Sequence, residues 1–245
     1  MFPWRISREN SMSIPVGAVS NVVCVFLGGV AGGLLSKRLP QRVKETLSNL
    51  FGFAAMAIGI NLLTRTRNLG AVVLALIMGT AIGCLFCLTE HLDSSINRIN
   101  TRLLGRFSSN GFDVNQFSTL VVLFAFGATG VTGVLMEASA GDSSVLLAKS
   151  VLDFFTAMIF ASKMGLSVSL IAIPQMMVYA VCFCFAGLLT TFLQNEVYGD
   201  FQAVGGIINL IVAFRILGLS KVKPFDCILG LVFIIPLSNL WQILF

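Results

Sequence analysis

The run "GDSSVLLAKSVLDFFTAMIFASKMG", residues 141–165, has the length and apolarity of a helix that crosses a bilayer, apart from two residues. About 20 apolar residues in helical conformation cover the ~30 Å of hydrocarbon in a membrane. Between Val145 and Ala161 only Lys149 and Asp153 carry charge, and at i and i+4 they share a helix face. A charge near the centre of a spanning helix costs roughly 2.5–3.5 kcal/mol on insertion scales. Lys149 lies about 7 Å from the start of the run at 1.5 Å per residue, and its long stem can reach the interface. Asp153 lies about 13 Å in, near the midplane, on a stem too short to escape. Pairing relieves part of the cost. Two readings follow: a structural pair that fixes helix register, or a site for a coupling ion, a proton or a substrate.

The same apolar character recurs along the chain. Of its 245 residues, 56% are hydrophobic and 11% charged, against about 25% charged in soluble domains. The apolar runs are too long and uniform for barrel strands, which alternate and span about ten residues. The expected fold is therefore all-α, a polytopic transmembrane bundle of one membrane domain. Eight helices are predicted, at 14–36, 46–64, 70–88, 117–137, 144–162, 166–193, 201–218 and 225–244. The first run is longer than the core of a secretion signal and reads as a retained span.

The net charge of +5 does not point to nucleic acid, because the basic residues sit in short loops between apolar runs. They act there as topology signals. With the N-terminus outside, the inner segments 37–46, 89–116, 163–165 and 219–224 hold Lys37, Arg38, Arg42, Lys44, Arg98, Arg102, Arg106, Lys163, Lys221 and Lys223. The outer segments hold Arg5, Arg8, Arg65 and Arg67, so the pair at 65 and 67 runs against the trend. In the connector 89–116, Leu92, Ile96, Ile99, Leu103 and Phe107 recur at helical spacing, with Arg98, Arg102 and Arg106 on another face. That pattern suits an amphipathic helix on an anionic inner surface.

The chain also resembles itself. "IPVGAVSNVVCVFLGGVAGGLL" at 14–35 is matched by "IPQMMVYAVCFCFAGLLTTFL" at 173–193, and "LFGFAAMAIGINLL" at 50–63 by "AVGGIINLIVAFRIL" at 203–217, which sets Gly52 against Gly206. On the topology above, the triplets 14–88 and 166–245 are related by inversion and flank a central pair, 117–162. Inverted repeats place transporter sites near the midplane at the repeat interface. Chance likeness between lipid-facing segments is the alternative.

Further residues bear on a site. In "AFGATGVTG", Gly127, Gly130 and Gly133 permit close approach or unwinding, and Thr129 and Thr132 supply hydroxyls. Pro174 removes a helix donor beside Gln175. Gly28, Gly29, Gly32 and Gly33 form a helix-contact face, inside one chain or across a homodimer, which such faces permit without requiring. Asn21, Asn61, Ser150 and Ser162 are polar groups that need partners in the bilayer. The substrate- or ion-binding set is thus Asp153, Lys149, Ser150, Thr129, Thr132, Gln175 and Asn61. The backbone or gating set is Gly127, Gly130, Gly133 and Pro174. Enzyme chemistry is not expected: His91 is the single histidine, and there is no paired carboxylate, phosphate loop or H-E-x-x-H. No cofactor or metal site is expected, and the six cysteines, the C-x-x-C of Cys84 and Cys87 included, read as reduced thiols within apolar runs.

The segments "GDSSVLLAKSVLDFFTAMIFASKMG", "IPVGAVSNVVCVFLGGVAGGLLSKRLP" and "AVGG…FRILGLSKV" resemble the YqgA/YdfK family of bacterial inner-membrane proteins, domain of unknown function 554, over nearly the whole chain. The resemblance is greatest to the YqgA branch. It implies a multi-pass protein of the bacterial inner membrane and carries over no residue roles. The expected function is transport of a small ion or polar solute, with a passive channel or a membrane scaffold as the alternatives.

Overall fold

The computed structural model describes residues 15–36, 38, 40–103, 114–187 and 195–244. Its elements are α1 (Val16–Leu35), α2 (Gln41–Leu63), α3 (Leu69–Leu85), α4 (Leu88–Leu103), α5 (Val114–Ala125), α6 (Ala128–Ala140), α7 (Ser144–Met164), a 3₁₀ helix Gly165–Ile171, α8 (Ala172–Cys184), α9 (Asn195–Ile216), a 3₁₀ turn Pro224–Cys227 and α10 (Leu229–Leu244). Among the described residues, six helical stretches are long and apolar enough to cross a membrane. A seventh arises if α3 and Leu88–Ser95, bent by 57° to one another, count as one span. The bend sits at Cys87, whose φ of 49° is in the left-handed region. The protein is a multi-pass helical membrane protein.

Several predicted boundaries shift. Helix 46–64 begins earlier, at Gln41 directly after Pro40, whose lack of an N–H costs nothing at a helix start. Helix 117–137 is two helices, α5 and α6, that part at Phe126 and Gly127. Helix 166–193 opens as 3₁₀, α8 ends at Cys184 and helix resumes at Ala186 and Gly187; residues 188–193 lie outside the described set. Helix 225–244 likewise opens with a 3₁₀ turn. In the connector, α4 runs to Leu103 and Arg98 is exposed. The side chains of Ile96, Ile99, Arg102 and Leu103 lie outside the described set, as do residues 104–113, so the amphipathic faces predicted there are described only at their start.

Backbone contact pairs the helices. On α1, a Cβ at Gly28 would overlap the Phe154 carbonyl and one at Gly32 the Met158 carbonyl, both on α7. Gly29 and Gly33 meet Ser169 and Leu166 of the 3₁₀ helix in the same way. The glycine face of α1 is therefore spent inside the chain. Gly28 and Gly32 meet α7 in ascending order, so α1 and α7 run parallel. The chain then reverses at Gly165, whose φ is 75°, and returns along α1 from Gly33 to Gly29 to Asn21. On α2 and α9, the carbonyl of Gly206 lies 2.9 Å from a Cβ built on Gly59, and that of Gly59 lies 2.7 Å from one built on Gly206. These helices are antiparallel, as are α3 and α10, where Gly79 meets Gly230. Lipid tails give no hydrophobic drive for helix association, so this close packing holds the bundle together.

Three buried carboxylates complete the frame by capping helices distant in sequence. Glu137 on α6 accepts the N–H groups of Gly17 at 2.6 Å and Ala18 at 2.9 Å, at the start of α1. Asp200 on α9 accepts those of Arg67 and Asn68, both at 2.8 Å, before α3, together with the Ser238 hydroxyl of α10. Asp226 accepts the N–H and hydroxyl of Thr89 at the start of α4. Free first-turn N–H groups and the positive helix end both favour an anion, and a bilayer offers no water to take its place.

Candidate functional site

The site grows from the two charges on α7. Lys149 and Asp153 form an ion pair one turn apart, with side chains 9% and 8% exposed. Asn21 of α1 donates to Asp153 Oδ2 from its Nδ2 at 2.9 Å. The Asn21 carbonyl oxygen accepts from Gln175 Nε2 at 2.5 Å and from the Tyr179 hydroxyl at 3.0 Å, both on α8. Asn21 thus links the α8 side chains to the carboxylate, while the Tyr179 hydroxyl also lies 3.5 Å from the Phe124 carbonyl of α5. Gln175 Oε1 is buried without a hydrogen-bond partner among the described residues. Lys149 Nζ lies 5.9 Å from the centroid of the Phe124 ring on α5.

A cavity of about 820 Å³ adjoins the pair. It lies among α2, α5, α6, α7 and α9, and Lys149, Asp153, Asn61, Thr129, Thr132 and Gly127 all line it. Its lining runs from Arg65 at one end of α2 to Phe51 near the middle. Arg65 Nη1 donates to Gln202 Oε1 at 2.9 Å, and both line the cavity. Beyond the floor, Phe51 meets Phe160 edge-on at 5.2 Å and Phe126 meets Phe225 at 5.6 Å. Both pairs lie on the side of the cavity toward Lys163 and Lys221.

The break between α5 and α6 lies against this space. Gly127, with ψ of 130°, leaves helical geometry near the middle of the stretch Gln116–Ala140, and α6 restarts one residue later. Gly130 gives its missing side-chain volume to the Tyr179 hydroxyl, which a Cβ would overlap. Gly133 does the same for Leu146 of α7.

The other expected site residues have different surroundings. Ser150 is buried and donates to the Leu146 carbonyl at 2.7 Å, away from the cavity lining. Gln175 reaches Asp153 only through Asn21. Pro174 stands in the first turn of α8, after the 3₁₀ segment, so the irregular backbone precedes it. Tyr179, Asn209 and Gln202 were not among the expected site residues. Tyr179 had no polar neighbour in sequence to mark it, and Gln202 follows Asp200 in what reads as a loop edge. Arg65, the exception to the topology count, stands at the cavity's end.

A family profile described as "Protein of unknown function (DUF554)" matches residues 16–239. The chain belongs to the DUF554 family. Within it, the chain is similar to the uncharacterized protein YqgA of Escherichia coli (strain K12), at 35% identity over 92% of this chain and 97% of that protein. It is also similar to the uncharacterized membrane protein YdfK of Bacillus subtilis (strain 168), at 28% identity over 86% of this chain and 90% of that one. The resemblance read from the central motif is thus confirmed, with YqgA the nearer of the two. No solved structure matches the chain.

Proposed function

We propose that this DUF554 protein is a membrane transporter, not an enzyme, that moves a small ion or polar solute through the cavity beside Lys149 and Asp153. Asp153 takes the coupling proton or cation, and Lys149 holds or releases it. The observation that carries this reading is a buried ion pair lining a cavity of about 820 Å³ beside a span broken at mid-length. A pair serving only helix register needs no cavity. Ligand sites commonly measure about 300–1,000 Å³, and transporters build theirs on discontinuous helices at the midplane.

The wider arrangement fits. Counting α3 alone, and the two limbs of the hairpin 144–184 separately, yields eight passes. Helix directions then put Arg38, Arg42, Lys44, Lys163, Lys221 and Lys223 at one end and Glu137, Asp142 and Asp200 at the other, where Arg65 and Arg67 are the basic exceptions. Under the positive-inside rule, this supports an N-terminus outside the bacterial inner membrane. The reciprocal approach of Gly59 and Gly206 is what a two-fold between inverted copies would produce. It would set Gly59, two turns on from Gly52, as the equivalent of Gly206.

A scaffold reading has one observation in its favour: Asp153, Asn21 and Gln175 tie α7, α1 and α8 together. Flux separates the two readings. Proteoliposomes loaded with a pH-sensitive dye are challenged with gradients of inorganic ions and small organic solutes, and currents are read in parallel on a solid-supported membrane. Wild type is expected to give a solute-dependent pH change or current that Asp153→Asn abolishes. Silence in both readouts from folded protein would overturn the proposal.

A further inference from the structure

The charges that line the cavity narrow its occupant. Among the described lining residues Arg65 and Lys149 are cationic and Asp153 is the single anion, so the lining carries one net positive charge. Most of the remaining surface is apolar, with Leu62, Phe126, Leu152, Ile208 and Val212 among its walls. A cation entering this space would meet two like charges and a carboxylate already engaged by Lys149. An anion would find Lys149 ready to exchange one counter-charge for another. Asp153 is held by Asn21 on α1, whereas the Lys149 ammonium, on a longer stem, faces Asp153, the Tyr179 hydroxyl and the Phe124 ring.

We propose that the cavity takes an organic monoanion with an apolar body, whose carboxylate replaces Asp153 as the counter-charge of Lys149 while Asp153 is neutralised by a proton. This rests on the transport reading of the same cavity and adds the substrate class and the coupling. The step balances. One carboxylate and one proton enter from water, the proton bonds to Asp153, and the net charge beside Lys149 is unchanged. Loading without the proton would leave two carboxylates facing one ammonium, and a like-charge pair in a poorly solvated site is costly. Anion and proton therefore enter together.

The groups that face Asp153 are few. Lys149 lies on its own helix, Asn21 on α1 is uncharged, and Tyr179 on α8 is the nearest other titratable group, with Cys182 beyond it. Asn61 of α2 and Asn209 of α9 line the same cavity, and Arg65 stands toward its end.

The test is binding, so its outcome does not depend on translocation. Purified protein in lipid nanodiscs is titrated with radiolabelled benzoate between pH 5 and 8, with hexanoate, benzylamine and phenylalanine as competitors. Hexanoate is expected to displace benzoate, and benzylamine and phenylalanine are not. With one proton taken up for each benzoate bound, affinity is expected to fall as pH rises, at a limiting slope of about tenfold per pH unit. Asp153→Asn is expected to bind benzoate with no pH dependence, and Lys149→Met not to bind it. If a variant fails to fold, the wild-type slope and competition pattern still decide. Benzoate binding that is absent or pH-independent in wild type, or displaced equally by benzylamine or phenylalanine, would overturn the inference. Solute-driven flux without benzoate binding would sink the substrate class and leave the transport reading standing. Proton-linked benzoate binding without flux would do the reverse.

Discussion

At the scale of single residues, Lys149 and Asp153 stabilise one another and endanger the fold separately. Losing one partner of a buried ion pair leaves an uncompensated charge and typically costs about 3–5 kcal/mol, whereas replacing both with apolar groups is often near neutral. Lys149→Met is therefore expected to lower the unfolding midpoint in detergent well below wild type. Lys149→Met combined with Asp153→Leu should recover most of the loss, although it should not transport. A single variant as stable as wild type would mean that the pair is solvated and not buried. The pair was legible in sequence because charge inside an apolar run is expensive enough to demand a reason. Its supporting network was only partly legible. Asn21 and Gln175 stood out as intramembrane polar groups, but Tyr179 joins them only because α8 turns back along α1. That reversal depends on the left-handed backbone at Gly165, and hydropathy does not register it.

At the scale of elements, association runs through backbone contact at glycine. Gly32→Leu would drive a side chain into the Met158 carbonyl, with no flexible atom to yield. Overpacking of this kind costs about 1–3 kcal/mol, and more where the backbone must move. It is expected to lower the unfolding midpoint by several degrees. Gly187→Ala serves as the control, since nothing lies within 4 Å of a Cβ there, and it should match wild type. Equal midpoints for the two variants would contradict the α1–α7 contact. The sequence marked this face correctly but could not say whether it served one chain or two. The glycine–threonine run signalled a break, which falls at Gly127. The capping carboxylates were missed for a physical reason. Glu137 and Asp200 stand at helix ends, where acidic residues normally meet water, and only the fold brings a distant N-terminus against them.

At the scale of the whole molecule, a membrane bundle was legible because few charges and long apolar runs leave little alternative in lipid. The cavity was not, because it is a space between five helices that are far apart in sequence. Its reality as a water-filled site within the membrane is the central claim of this account. The most direct test is side-specific labelling in a cysteine-free background. Asn61→Cys and Asn209→Cys, on α2 and α9 in the cavity lining, would be exposed to a membrane-impermeant maleimide from one side of oriented vesicles at a time. Labelling of both from the side that carries Arg65, slowed by Lys149→Met or by a bound carboxylate, is the predicted result. Two thiols in folded protein that react from neither side, or only from the side that carries Lys163 and Lys221, would contradict it.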